Sequence, residues 1–290
     1  MGFHCAGHSL LYQFVDANQV SPRATLVYKP CEGTVFHAAY ARYFTPPMQS
    51  EAAPANLALF NNTTNQPEVP LNKPVQPERS NYFDVGVNQK VFPGLDVGLD
   101  TYYKEAKDLL DDGQFRQAFV LTQFNFARGF SEGAEFKAKY QIGNFKAYAN
   151  FAYNVTRAID PVSSQYLLDA AEYAYLLDHY HYTDDMQRMT ASAGASYRWD
   201  KMLFTADVIY GSGLPSGFAN LDHMPPYTVV NLGISREFQL SPDQKPTTVR
   251  FDAVNLFDEV YEIHDGTGIG VFAPQYGPRR GFFVGLSQKF

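Results

Sequence analysis

The densest set of chemistry-bearing side chains is the run D-H-Y-H-Y-T-D-D over Asp178–Asp185. His179 and His181 stand two apart, with Asp178, Asp184 and Asp185 beside them. Imidazole together with carboxylate is a donor set for a transition metal. A polar external loop that holds two histidines accounts for the same residues, so no metal site is expected. His4, Cys5 and His8 form a weaker set. Gly211-Ser-Gly213 lacks the G-x-S-x-G frame of a nucleophile elbow. Gly266-Thr-Gly-Ile-Gly270 lies between two expected strands with no helix after it, which is not the setting of a phosphate cradle. No Ser/His/Asp arrangement has a recognisable context. The chain is expected to be no enzyme and to use no cofactor. The ligand-binding candidates are His179, Tyr180, His181 and Tyr182, as side chains of an external loop. The aromatic ones can stack on a ligand or sit in an interfacial girdle.

What must position such loops is a set of strands. The last ten residues, G-F-F-V-G-L-S-Q-K-F, place Phe282, Val284, Leu286 and Phe290 on one parity and Gly285, Ser287 and Lys289 on the other. That period of two is the signature of an amphipathic strand. Aromatic residues make up 16% of the chain and charged residues only 18%, against a usual quarter. Mean hydropathy is nevertheless -0.29, and no apolar run reaches the ~18 residues of a membrane helix. A net charge of -7 excludes nucleic acid as the natural partner. Cys5 and Cys31 form no metal-type pair.

Along the chain the alternation predicts about eleven strands, the clearest over 81–91 and 95–104. In the first, Phe83, Val85 and Val87 oppose Tyr82, Asp84 and Gly86. In the second, Leu95, Val97 and Leu99 oppose Asp96, Gly98 and Asp100. A short helix fits 167–177. Residues 105–128 read as a long connection with room for a small hairpin or helical turn inside it, and the aromatics of 35–44 fall on both parities, so that strand has no legible face. Short connections at Lys29, Phe92, Gly143, Asp200 and Gln239 alternate with long ones at Met48, Glu105, Arg157, Gly211 and Glu259. Membrane β-barrels sort their connections this way, with short turns on one rim and long loops on the other. The charges agree: Asp96, Asp100, Lys104, Glu135, Lys137, Lys139, Arg250 and Asp252 keep to the polar parity. A cation facing lipid at mid-membrane costs ~2–4 kcal/mol, so these side chains belong to a wet interior.

Four segments then carry a resemblance. They are S-P-R-A-T-L-V-Y-K-P over Ser21–Pro30 with R-Y-F-T-P over Arg42–Pro46, L-N-K-P-V-Q-P-E-R-S over Leu71–Ser80, V-N-L-F-D-E-V-Y over Val254–Tyr261, and the terminal Phe290. In this order the chain resembles the C-terminal part of the barrel of TonB-dependent outer-membrane receptors. The resemblance implies an all-β fold, a transmembrane antiparallel up-and-down barrel. About eleven strands would be roughly half of a 22-stranded wall, with the family's plug absent. It implies a place in the outer membrane of a Gram-negative bacterium and contact with outer-membrane lipid. It also implies recognition of Phe290 by the barrel-assembly machinery and coupling to TonB through the plug region. The cargo would be a small-molecule nutrient, a ferric siderophore first among the candidates.

Residues 1–22 are expected to be an irregular remnant of a preceding external loop, and 23–290 the barrel portion. With an odd count the first strand runs inward, which places the N-terminus outside. Two open edges in lipid would leave roughly ten backbone groups unpaired at several kcal/mol each, so a half barrel is not expected to insert alone. The alternative is a small self-contained outer-membrane barrel, a porin or an autotransporter-type translocator, which needs an even strand count.

Overall fold

The computed structural model describes residues 2–12, 17–48, 60–64, 66–69, 71, 73–114, 121–163, 168–239, 246–270 and 274–288. Phe290 lies outside the described residues. Twelve strands follow one another in chain order through a single antiparallel sheet. They are β1 (Gly2–Tyr12), β2 (Ala17–Cys31), β3 (Thr34–Thr45), β4 (Glu78–Phe92), β5 (Leu95–Gln114) and β6 (Leu121–Ile142). The others are β7 (Phe145–Pro161), β8 (Met189–Trp199), β9 (Met202–Gly211), β10 (Tyr227–Phe238), β11 (Thr247–Val254) and β12 (Gly281–Gln288). Every strand pairs with the next, and β1 and β12 are not paired with each other, so the wall is open.

Two expectations are corrected. Residues 2–12 are not irregular: they form β1, which pairs along its length with β2, from Gly2↔Val27 to Tyr12↔Ala17. Hydrogen bonding to β2 makes this a strand where the sequence shows no alternation. The count becomes twelve, and β1 then starts on the short-turn rim rather than the outer one. Residues 105–128 are also largely strand. β5 and β6 run for 20 and 22 residues, paired as far as Gln114↔Leu121. A tilted strand crosses a bilayer in ~9–11 residues, so the outer half of this hairpin stands beyond the membrane.

Two adjacent rows show how the wall sorts its side chains. In one, register places His37, Gly86, Asp100, Glu135, Ala152 and Thr190 side by side on β3 to β8. In the next, it places Phe36, Val87, Leu99, Phe136, Phe151 and Ala191. The first row is polar or small, the second apolar. Phe36, Leu99, Phe136 and Phe151 are all exposed, which suits lipid contact and would be costly in water. β3 is oriented by the same register: His37 belongs to the lumenal face and Phe36 to the lipid face.

The short-turn rim is repetitive. Glu32-Gly33, Pro93-Gly94, Gly143-Asn144 and Asp200-Lys201 each close a hairpin in two residues. Each turn gives a carbonyl to the strand beyond: Lys90 N–H donates to Gly33, Gln141 to Gly94, Arg198 to Asn144 and Glu237 to Lys201, at 2.8–3.0 Å.

The outer rim has its own core. Ala106, Leu109, Phe124, Phe126, Ala158, Leu168, Leu176, Ala219 and Ile269 bury together. They come from the extended hairpin, the end of β7 and three outer connections. The helix expected near 167–177 is α1 (Ala170–Leu176), capped by Asp169, whose carboxylate accepts from Glu172 N–H at 2.7 Å.

Candidate ligand vestibule

The lumenal wall carries a joined polar network. His37 Nε2 lies 3.0 Å from Asp84 and 3.1 Å from Asp100, and Lys137 Nζ lies 2.9 Å from Asp100. His37 reaches Asp100 by passing over Gly86, where an added Cβ would overlap both side chains. Further out on the same face is an aromatic ladder. Arg23 lies 5.1 Å above the Tyr43 ring, Tyr43 meets Tyr82 edge-on at 6.0 Å, and Tyr82 stacks on Tyr102 at 6.0 Å. Tyr102 donates to Asn154 Oδ1 at 2.8 Å across Gly133, whose missing side chain leaves the space. A guanidinium beside stacked phenols can hold a planar, anionic or catecholate-like molecule by charge and by ring stacking.

Above the wall, three fully buried asparagines fasten the outer connections. Asn125 donates to the carbonyls of Gln76 and Asp108 at 2.9 and 2.8 Å, and accepts from Gln76 N–H and Ser163 Oγ. Asn220 donates to Tyr182 O and accepts from Ile269 N–H, both at 2.9 Å. Asn255 donates to the carbonyls of Glu259 and Pro278 and accepts from Glu259 N–H. Each ties segments that are far apart in sequence or closes a turn on itself. Asp258 completes the last of these, accepting both Nε and Nη2 of Arg279 and the N–H of Arg280. Those bonds hold its carboxyl well below the usual carboxylate range. The N-L-F-D segment is therefore a loop clamp.

The four candidates of the 179–182 run go to different places. His179 stacks on Tyr175 at 4.2 Å, with Nδ1 3.0 Å from the Tyr175 carbonyl. Tyr180 is exposed and packs edge-on against Phe130. His181 is buried against Phe126, 4.8 Å between rings, with no hydrogen-bond partner for either ring nitrogen. Burial pushes its pKa down to about 4. Tyr182 is flanked by two guanidinium groups, Arg157 at 4.7 Å and Arg188 at 5.1 Å from its ring, and its hydroxyl accepts from Arg157 at 2.8 Å. The two histidines do not converge on one point. What the fold does bring together is Asp184, Asp185 and His264, whose ligand atoms all lie within 4.8 Å of one another. Nothing in the sequence signalled His264, Arg157, Asn125 or Asn220. Asn255 was in view through its motif.

The family profile "TonB dependent receptor-like, beta-barrel" matches residues 8–256. No curated protein matches the chain. Solved structures of like fold include the FrpB iron transporter from Neisseria meningitidis, at 17% identity and a TM-score of 0.63. They also include the siderophore receptor PiuA from Acinetobacter baumannii, at 15% and 0.67, and the copper transporter OprC, at 15% and 0.65. They cover 93%, 93% and 95% of this chain, which spans only 39%, 36% and 41% of theirs. The family is one of receptors and transporters, not of enzymes. An open twelve-stranded wall with lipid-facing and lumen-facing rows, matched over most of its length by the family profile, places this chain among the TonB-dependent receptors, as a stretch of their β-barrel.

Proposed function

We propose that this chain is part of the wall and outer vestibule of an outer-membrane importer for a scarce nutrient, a ferric siderophore being the cargo class. The observation that carries the reading is the Arg23–Tyr43–Tyr82–Tyr102 ladder on the lumenal face, below an outer cap of interlocked loops. A ferric siderophore presents anionic oxygen donors and often flat aromatic or hydroxamate groups, which such a ladder can hold by stacking and charge. The names of the similar structures, among them an iron transporter and a siderophore receptor, support the same class. The edges of β1 and β12 then pair with further strands of the same wall, because unpaired backbone in lipid costs several kcal/mol per group. The self-contained barrel is not favoured, since β1 and β12 do not close on each other. TonB drives the transport step through the plug region. The barrel-assembly machinery inserts the wall, and outer-membrane lipid surrounds it. Tyr180 and Tyr182 line the mouth, with Arg157 and Arg188 beside the latter, while His179 and His181 support them.

The test is uptake of radiolabelled iron by a Gram-negative host that lacks its own siderophore receptors and is supplied with the full receptor containing this chain. At least one ferric siderophore class should enter, entry should stop without TonB, and Tyr82→Ala should weaken it. Uptake of haem, cobalamin or a glycan instead would replace the cargo. A chain that stays soluble without detergent would sink the outer-membrane reading.

A further inference from the structure

We propose that Asp184, Asp185 and His264 bind a resident divalent first-row transition ion of the Zn²⁺ kind that pins two outer loops to each other. The three residues come from the connection after β7 and the connection after β11, and their donor atoms already lie within 4.8 Å of one another. A tetrahedral ion with bonds of ~2.1 Å holds its ligand atoms ~3.4 Å apart, so small side-chain rotations complete the set.

The second observation is Asp111. The residue is 7% exposed, and its Oδ2 is buried with no hydrogen-bond partner, while Oδ1 accepts only from the neighbouring Asp112 N–H. Neither Asp111 nor Asp185 forms an ion pair with a lysine or arginine among the described residues. Burial first, and then the charges of Asp184 and Asp185, push the Asp111 carboxyl well above its ordinary range. Its charge and those of Asp184 and Asp185 act on one another, and buried negative charge without a positive partner is costly, so a cation among them would offset all three. Gly270 closes the other side: its Cα stands so near the Asp184 carboxylate that an added Cβ would overlap it. Asp185 is exposed and gives an ion its way in.

The donor chemistry selects the ion. Carboxylates alone would suit Ca²⁺ or Mg²⁺, which prefer all-oxygen shells. An imidazole among them moves the preference to zinc and its neighbours. The role is structural: the ion joins segments that the asparagines fasten elsewhere.

The experiment is equilibrium dialysis of the full receptor in detergent, stripped by chelator, against Zn²⁺ alone and against Ca²⁺ alone. One equivalent of Zn²⁺ should be retained. His264→Ala and Asp111→Asn should each weaken retention by at least ~10-fold, and His223→Ala, at an exposed position, should leave it unchanged. Bound Zn²⁺ should also slow proteolysis within 177–188 and 255–270. Heat-modifiable mobility on gels reports whether each variant is folded, and Asp185→Asn, at an exposed position, serves if another variant fails. No retained Zn²⁺, retention indifferent to both His264→Ala and Asp111→Asn, or retention of Ca²⁺ in place of Zn²⁺ would overturn the proposal. No siderophore enters the assay, so its failure leaves the import reading untouched, and failure of import leaves this one.

Discussion

Phe83 and Phe126 are the same residue in opposite surroundings. Phe83, on the wall, leaves 47% of its surface exposed, and Phe126, in the outer cap, leaves none. On the wall, lipid stands where a soluble protein would have its core, so an apolar ring needs no protein neighbour and polar groups turn inward. In the cap, water surrounds the loops, so apolar rings must bury one another and the connecting backbone must find partners. The wall therefore rests on periodicity and the cap on particular contacts. Damage to the wall should matter by which face it strikes, and damage to the cap by which contact it removes.

The largest effect should come from Asn125→Leu. It leaves Gln76 N–H, the Gln76 and Asp108 carbonyls and Ser163 Oγ short of a partner in a buried place. At ~1–3 kcal/mol per orphaned group, the local loss is about 4 kcal/mol. Amide exchange should rise over 73–80, 105–112 and 161–163 while 83–88 and 97–102 keep their protection. Equal loosening of the wall would erase the distinction between the two regions. Next comes the same substitution made twice, at Val85 on the wall and Leu221 in the cap, which are 58% and 53% exposed. Val85→Lys should cost about 3 kcal/mol by facing lipid and reduce recovery of folded protein from outer membranes. Leu221→Lys should stay within ~0.5 kcal/mol. Similar outcomes at both would mean that Val85 does not face lipid.

A third prediction concerns acid. His181 has its folded pKa lowered from 6.5 to about 4 by burial. Its contribution is full above pH 6.5 and is lost as pH falls from 6.5 toward 4, because the unfolded cap takes up the proton first. The loss amounts to about 2 kcal/mol by pH 5. Asp111 and Asp185, both raised chiefly by burial, act with the opposite sign. The comparison of wild type with His181→Phe cancels them. With the receptor stripped of metal by chelator, loop proteolysis should accelerate below pH 6 in the wild type and not in the variant. Equal acceleration in both would remove His181 as the cause.

The same contrast explains what could be read from sequence. Phe83, Val85 and Val87 alternate with Tyr82, Asp84 and Gly86 because the membrane imposes a period of two, and that period survives without knowledge of any partner. The outer half of the β5–β6 hairpin shows no such pattern. Ala106, Leu109, Phe124, Asn125 and Phe126 are all buried there, under loops and strand alike, so a strand looked like a connection. β1 is a strand because β2 lies beside it, which no local pattern reveals. In the cap, the 179–182 run stood out by composition, yet its contacts come from elsewhere. His181 meets Phe126 and Tyr182 meets Arg157 and Arg188, while Asp184 and Asp185 meet His264. Periodicity is local information and contact is not.

The smallest effect belongs to the inner rim, where structure is most local of all. Gly33 and Gly94 take a positive φ at the second turn position, and Gly143 and Asp200 take one at the first. Asp200, at φ 53, is the residue with a Cβ among them. Aspartate tolerates the left-handed region better than most residues, yet glycine enters it without strain. Asp200→Gly relieves that strain but adds freedom to the unfolded chain. The two nearly cancel, leaving a gain of about 0.5 kcal/mol or less. Gly143→Asp should lose a similar amount, and urea midpoints of the detergent-folded receptor would read both. The turn carbonyls of Asn144 and Lys201 keep their bonds to Arg198 and Glu237 in either variant, since those bonds are made by the backbone. A shift of several kcal/mol at Asp200 would mean that its side chain holds something the backbone does not, and the inner rim would then depend on contact as the outer one does.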